Sequence, residues 1–435
     1  MNKLLALTAS FLAACASPLA AQDMAIVNAT LVTGDGSEPI EDGVVLVEGG
    51  QVVFAGAADG RSFETSTVID VNDAWVTPGL FATVTTLGLW DVGAVSQSND
   101  QRSGGSPFGA ALESAPIINP KSQHILVHRA AGITRAATST LPSNSIFSGQ
   151  GAIIDLDGDR SPVMKANAFQ MVAMGEAGAG IAGGGRASSH AVLRAALRQA
   201  SMVRRPMPMT HDLEEGGDVL LGNFDVEALR MVVDGTQPLY IYVERASDIL
   251  QTLALKDEFA QLKLVLVGAS EGWLVAGEIA AAGVPVIAAG LNDLPASFEQ
   301  LAATQSNIGR MKRAGVKVAI SASGLNHAGR LPQVAGNLVA LNKVPGASGL
   351  SWGEAFAAIS SIPAEISGMG GKTGVLSAGA LGDVVIWDGD PLEVGSIPTR
   401  VFIGGVEQSL TNHQSRLRDR YSRGLEGPLP KAYDW

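Results

Sequence analysis

The chain has 435 residues, enough for one large domain or two ordinary ones. Hydrophobic residues make up 46% of it, which permits a sizeable core and excludes wholesale disorder, and 52 glycines suit a fold with many tight turns. A formal net charge of -12 and the lack of any Lys/Arg run exclude a nucleic-acid-binding surface as the expected function.

The N-terminus reads as a secretion signal over residues 1–21. Lys3 supplies a positive start, Leu4 to Ala14 is an apolar run too short to span a bilayer in the mature protein, and small residues lead to Ala21-Gln22. Export to the bacterial periplasm is therefore expected. Cys15, the only cysteine, ends the run Leu12-Ala13-Ala14-Cys15. That run looks like a lipoprotein signal whose cysteine would carry a lipid anchor; cleavage near Ala21 as an ordinary signal is the alternative. In either case the mature chain forms no internal disulfide and builds no metal site on cysteine. No later segment is apolar enough to be a transmembrane span.

Short apolar runs follow at Ala25-Ile26-Val27, Gly43 to Val47, Gln51 to Phe54 and Thr67 to Val71. Glu48-Gly49-Gly50 between two of them reads as a hairpin turn. From Leu239 onward strands and helices alternate. Strands are expected at Leu239–Val243, Lys263–Val267, Val284–Ala288 and Val316–Ile320, and helices at Asp248–Phe259, Glu271–Ala282 and along a long stretch to Ala314. That rhythm, with strands apolar along their whole length, predicts parallel βα units covered on both faces. A (β/α)8 barrel or an open doubly wound sheet would both fit this rhythm, and the span from Pro78 to about residue 370 is long enough for a barrel, which takes about 250 residues. Two regions break the pattern: Ser103 to Ser114, and the glycine-rich Met174 to Ser189, read as a flexible loop. Asp383 to Trp387 and Arg400 to Ile403 read as strands again. The segments 24–77 and 374–408 are expected to pair into one small β-sandwich, leaving 409–435 as a tail.

Several segments carry a resemblance. Val76-Thr77-Pro78-Gly79-Leu80 leads into Phe81 to Thr86 and then Leu87-Gly88-Leu89; Glu244 to Leu250 follows one central strand; Gly268-Ala269-Ser270-Glu271-Gly272 follows the next; Ala314 to Ile320 precedes Ser321-Ala322-Ser323-Gly324; Gly374-Val375-Leu376, Gly379 and Asp383 to Trp387 close the series. Taken in order, these resemble the amidohydrolase superfamily, in its periplasmic, imidazolonepropionase-like branch, from about Ala25 to Gly405. The resemblance implies a (β/α)8 barrel with a composite β-sandwich, and hydrolysis of carbon–nitrogen bonds other than peptide bonds by zinc or another divalent metal.

The ligands that the resemblance implies are a His-x-His on strand one, histidines on strands five and six and an aspartate on strand eight. Here those positions hold Val84 and Thr86, Tyr242 (or, in a shifted alignment, Glu244), Gly268 and Ser323. Valine and glycine offer no side-chain donor and neutral hydroxyls are poor zinc ligands, so no metal cofactor is expected. Glu244, Arg245, Glu271 and His327 are the polar residues expected near the strand ends, as candidates to line a ligand pocket. His124 and His128 share a face of a helix outside the barrel, and Asp155 to Asp159 lacks calcium-loop spacing and reads as a turn. Three functions stay open: a C–N hydrolase with an altered or metal-free site, a non-catalytic binding protein for an unknown small molecule, and an assembly subunit, as a homo-oligomer or beside an active paralogue.

Overall fold

Strands from both ends of the chain meet in one sheet. A computed structural model describes residues 23–60, 65–202, 220–322 and 328–422. Strands β1 (Met24–Leu31), β2 (Ile40–Glu48), β3 (Gln51–Ala57), β4 (Thr67–Asp70) and β5 (Trp75–Pro78) precede the barrel. Strands β6 (Leu80–Thr85), β7 (Ile133–Thr138), β8 (Phe147–Asp155), β9 (Val163–Ala173), β10 (Leu239–Val243), β11 (Leu264–Gly268), β12 (Val286–Ala288) and β13 (Val318–Ile320) form it. Strands β14 (Val384–Trp387), β15 (Pro398–Ile403) and β16 (Val406–Gln408) return to the first sheet. The helices are α1 (Gln123–Ala130), α2 (Gly175–Ile181), α3 (Arg186–Met202), α4 (Asn223–Val233), α5 (Ala246–Leu253), α6 (Leu255–Glu258), α7 (Ala276–Ala281), α8 (Asn307–Arg313), α9 (Leu331–Ala340), α10 (Trp352–Ala357), α11 (Ser361–Ile366) and α12 (His413–Tyr421).

The flanking sheet runs β16-β15-β14-β5-β1-β2-β3, with β4 also paired to β1. The join is the antiparallel pair β5–β14, where Val384 faces Pro78 and Trp387 faces Trp75. Strand β14 reads with period two. Val384 and Ile386 enter the sheet's own core with Met24, Ile26 and Phe402, while Val385 and Trp387 pack toward the barrel. Gly132, before β7, allows that contact: its φ is +89° and a Cβ there would come within 3.0 Å of the Trp387 ring. Arg135 on β7 then clasps Asp383 with two bonds, of 2.7 and 2.8 Å, both groups being buried. This buried fork ties the base of the barrel to the sheet.

The barrel order is β13-β12-β11-β10-β9-β8-β7-β6. Tyr240 points inward, stacking on Phe169 at 4.4 Å, while Leu239, Ile241 and Val243 face the helical shell. The remaining seam, between β13 and β6, is bridged by the backbone of 358–359. Ile320 N–H donates to the Ala358 carbonyl at 2.9 Å and Phe81 N–H to the Ile359 carbonyl at 3.0 Å. Helix α11 plugs the base, with Ala364 and Ile366 in the inner core.

Three expectations need correction. The parallel alternation read from Leu239 onward holds through β10 to β13, but the regular (β/α)8 pattern breaks at the third barrel strand: β8 runs antiparallel to both β7 and β9. Its connections, 139–146 and 156–162, are too short for the crossover of a dozen or more residues that a parallel pair requires. The long helix expected to Ala314 is only α8, because 289–306, which includes Pro295, is irregular. The glycine-rich stretch from Met174 is not a loop but holds α2 and the start of α3. Among the described residues no helix is long and apolar enough to cross a membrane.

Candidate functional site

Five strand ends bring the polar residues of the barrel mouth together. At the end of β11 the chain turns through two consecutive positive-φ residues, Gly268 at 93° and Ala269 at 48°. Glycine is required at the first for a further reason: a Cβ on residue 268 would lie 2.6 Å from Glu244 Oε1. The carboxylate of Glu244, just past β10, therefore fills the space beside Gly268. It is buried, and its Oε2 accepts from Ser270 N–H at 2.8 Å. The Tyr242 side chain lies beside the same carboxylate. Burial pushes the phenol's pKa well above its ordinary value, with the negative charges of Glu244, Glu299 and Glu176 adding to the effect. Tyr242 is thus a neutral hydrogen-bond donor at any physiological pH.

A second cluster adjoins it. Glu299 comes from the loop after β12 and is buried. Its Oε2 accepts from Glu176 N–H at 2.7 Å, in the first turn of α2, and from Arg186 at 3.2 Å. Gly175 makes room for it, since a Cβ there would stand 2.3 Å from Glu299 Oε2. This carboxylate supplies the cap that lets a glycine-rich segment fold as a helix. Burial raises the Glu299 pKa, the charge of Glu176 adds to the rise, and the bonds from Glu176 N–H and Arg186 oppose it. Arg186 also bonds Asp248 at 3.0 Å and lies 3.6 Å from Glu176. Arg245 donates to Asp248 at 3.1 Å from the opposite side. Three carboxylates, Glu176, Asp248 and Glu299, thus face two guanidinium groups, and Glu244 adds a fourth acid to the mouth. Sequence reasoning missed Glu176, Arg186 and Glu299. The only local signal was Arg186 after Gly183-Gly184-Gly185, and Glu299 had none.

The other candidates are placed as follows. Glu271 accepts from Ala246 N–H at 3.0 Å and Ala302 N–H at 3.1 Å, so both of its oxygens brace loops. The Thr86 hydroxyl accepts from Trp90 Nε1 at 3.1 Å and Gln101 Nε2 at 2.8 Å. Val84, half-buried at the end of β6, has φ +53°, a strained conformation for a β-branched residue. Ser323, His327 and Cys15 lie outside the described residues.

Away from the mouth, His124 stacks on Trp90 at 3.7 Å and its Nε2 meets the Asp91 carbonyl at 2.9 Å, while His128 Nδ1 meets the His124 carbonyl at 2.6 Å. Asp155, Asp157 and Asp159 sit at the barrel base, with oxygens within 4.8 Å of one another. Cations already serve this turn: Arg135 lies 3.5 Å from Asp155, Arg129 donates to the Asp157 carbonyl at 2.7 Å, and Lys121 donates to the Gly158 carbonyl.

The barrel, its composite sheet and this mouth can be set against known proteins. The model of the amidohydrolase family matches residues 260–411, from the approach to β11 to the end of the returning sheet. Over those residues the chain is similar to the amidohydrolase family. It is similar to an amidohydrolase from Thermotoga maritima MSB8 (TM-score 0.75, 21% identity, 88% of this chain and 99% of the other). It is also similar in fold to a zinc-bound adenosine deaminase from Xanthomonas campestris (TM-score 0.53, 17% identity, 93% and 99% covered). A curated relative, amidohydrolase tasK of Hapsidospora irregularis, is 43% identical over 60 residues; that match spans 14% of this chain and only 6% of the relative's length. At these identities the solved structures establish the fold alone.

Proposed function

We propose that this chain is an amidohydrolase-superfamily protein that lacks the metal centre of its relatives and uses its barrel mouth to bind a small nitrogen-bearing cation. The observation that carries the reading is the Glu244 carboxylate, which stands where a side chain at position 268 would have to go. The residues at the positions that the resemblance assigns to metal do not fit a zinc ion. Val84 and Gly268 bring no donor atom, the Thr86 hydroxyl is already shared by two donors, and Tyr242 keeps its proton. Glu244 alone cannot hold zinc against water. A relocated site on Glu244, Glu271 and His327 is disfavoured by the bonds from Ala246 and Ala302 that occupy Glu271.

What the mouth offers instead is an excess of carboxylate, a neutral phenol donor and two arginines that hold the acids in place. A desolvated cluster of this sign attracts a cation and hydrogen-bonds its N–H groups. The experiment is metal analysis of the purified protein, melting with near-equimolar zinc, and mass spectrometry of small molecules released on denaturation. The expected result is substoichiometric metal, an unchanged melting temperature and a retained nitrogen-bearing compound. Stoichiometric zinc that raises the melting temperature and confers hydrolysis of simple amides would overturn the reading in favour of a C–N hydrolase with an unfamiliar site. Export belongs to the same proposal: the intact mass of the mature protein should lack Met1 to Ala14, and added lipid mass on Cys15 would identify an anchor.

A further inference from the structure

At the end of the barrel opposite the mouth lies a cavity of about 660 Å³, within the size range of small-molecule sites. Lys165 from β9, Lys256 from α6, Lys263 just before β11 and Lys317 just before β13 all line it. Glu365 on α11 is the one acidic residue in its wall, and it pairs with Lys317 at 2.5 Å. Lys256 donates to the Ala282 carbonyl at 2.8 Å. Among the described residues, no carboxylate pairs with the ammonium groups of Lys165 or Lys263.

Four ammonium groups and one carboxylate leave an excess of three positive charges at one cavity, in a chain whose formal net charge is -12. Like charges drawn from four separate elements repel one another unless an anion sits among them. The floor is apolar: Leu264, Val265, Ile279 and Ile366 lie beneath the lysines. A simple inorganic anion would use the rim and leave that floor uncovered.

We propose that this basal cavity binds an organic anion, with a carboxylate or phosphate head held by Lys165 and Lys263 and an apolar body lying on Leu264, Val265 and Ile366. The site is separate from the mouth, and the carboxylate-rich mouth would repel such a ligand.

The test uses the full mature chain and the fluorescent organic anion 1-anilinonaphthalene-8-sulfonate. Wild-type protein should show one saturable site, displaced by laurate and not by acetate, and weakened as sodium chloride is raised. Lys165→Gln with Lys263→Gln should weaken binding by about ten-fold or more, as expected for lost charged hydrogen bonds. Both lysines are exposed, so the fold should survive; the melting curve checks this, and the single variant Lys165→Gln should weaken binding to a smaller degree. Equal affinity in wild type and double variant would overturn the proposal, as would failure of laurate to compete.

Discussion

At the C-terminal end of the barrel strands, Glu176, Asp248 and Glu299 face Arg186 and Arg245, and Glu244 adds a further buried acid. At the N-terminal end, Arg135 and Asp383 are locked in a buried fork and four lysines line a cavity beside it. One scaffold thus carries an acidic mouth at one end and a lysine-lined cavity at the other. Burial alone does not tell structural from functional charge here. The Arg135–Asp383 pair is buried and geometrically complete, so it fastens two parts of the molecule. Glu244 and Glu299 are equally buried, yet each fills a space that a glycine keeps open and each lies beside a phenol or a second carboxylate. Charges left in excess of their partners point to a ligand.

The largest effect should come from breaking the fastening. Asp383→Ala leaves the buried Arg135 guanidinium with only Asp155, at 3.5 Å, as a charged partner and removes the acceptor for Gly404 N–H at 2.9 Å. Loss of about 3–5 kcal/mol is expected, as for other broken buried pairs, read from urea unfolding. A loss below about 1 kcal/mol, the range of exposed pairs, would show that the fork is not what ties sheet to barrel.

At the mouth, Gly268→Ala would place a methyl group 2.6 Å from Glu244 Oε1, at a φ of +93°. Strain and overpacking together should cost about 2 kcal/mol. In a Glu244→Ala background the clash is gone and only backbone strain of about 1 kcal/mol remains. The two substitutions should therefore be non-additive. Additivity would mean that Glu244 does not occupy the space beside Gly268, and the proposed loss of the metal centre would lose its main support.

The base also makes a prediction about pH. Burial pushes the Asp155 carboxyl up to about 7, with the negative charge of Asp157 adding to the rise and Arg135 opposing it. In the unfolded chain its pKa is about 3.9. The folded state therefore holds a proton that the unfolded state has released between those values. The stability this group contributes is fully present below about pH 4 and is lost as pH rises toward about 7. Asp155→Asn should flatten that fall, gaining of the order of 1–3 kcal/mol over wild type at pH 8 relative to pH 4. Parallel pH profiles for the two proteins would refute the assignment.

What could be read from the sequence differs between the two ends for a physical reason. Strands β10 and β11 are runs of apolar residues buried on both faces, and the hairpin at Glu48-Gly49-Gly50 depends on its own residues, so local pattern sufficed for both. The reversal of β8 depends on what its short connections allow, and no residue announces it. Helix α2 is capped by Glu299, more than 120 residues away in the chain, and the mouth cluster draws Glu176, Arg186, Glu244 and Glu299 from segments that follow three separate strands. Glu244 was identifiable because it follows a strand end directly. Glu299 was not, because its role exists only once the loop after β12 folds back over α2.

The smallest effect tests whether the strain at the mouth is real. Val84 holds φ +53° while half-buried against the inner core. A left-handed conformation costs an L-residue roughly 1–2 kcal/mol, and a half-buried valine recovers roughly 1 kcal/mol through its apolar contacts. Val84→Gly removes both terms, so its net effect should lie within about 1 kcal/mol of zero. Val84→Ala keeps the strain and loses most of the contacts, so it should cost about 1 kcal/mol. Glycine should therefore be tolerated better than alanine, the reverse of the order expected in an ordinary strand, where glycine is the worse choice. Equilibrium unfolding of the two variants under identical conditions decides it. If alanine proves the more stable, β6 ends in a relaxed conformation and the strand-one side of the mouth holds no stored strain.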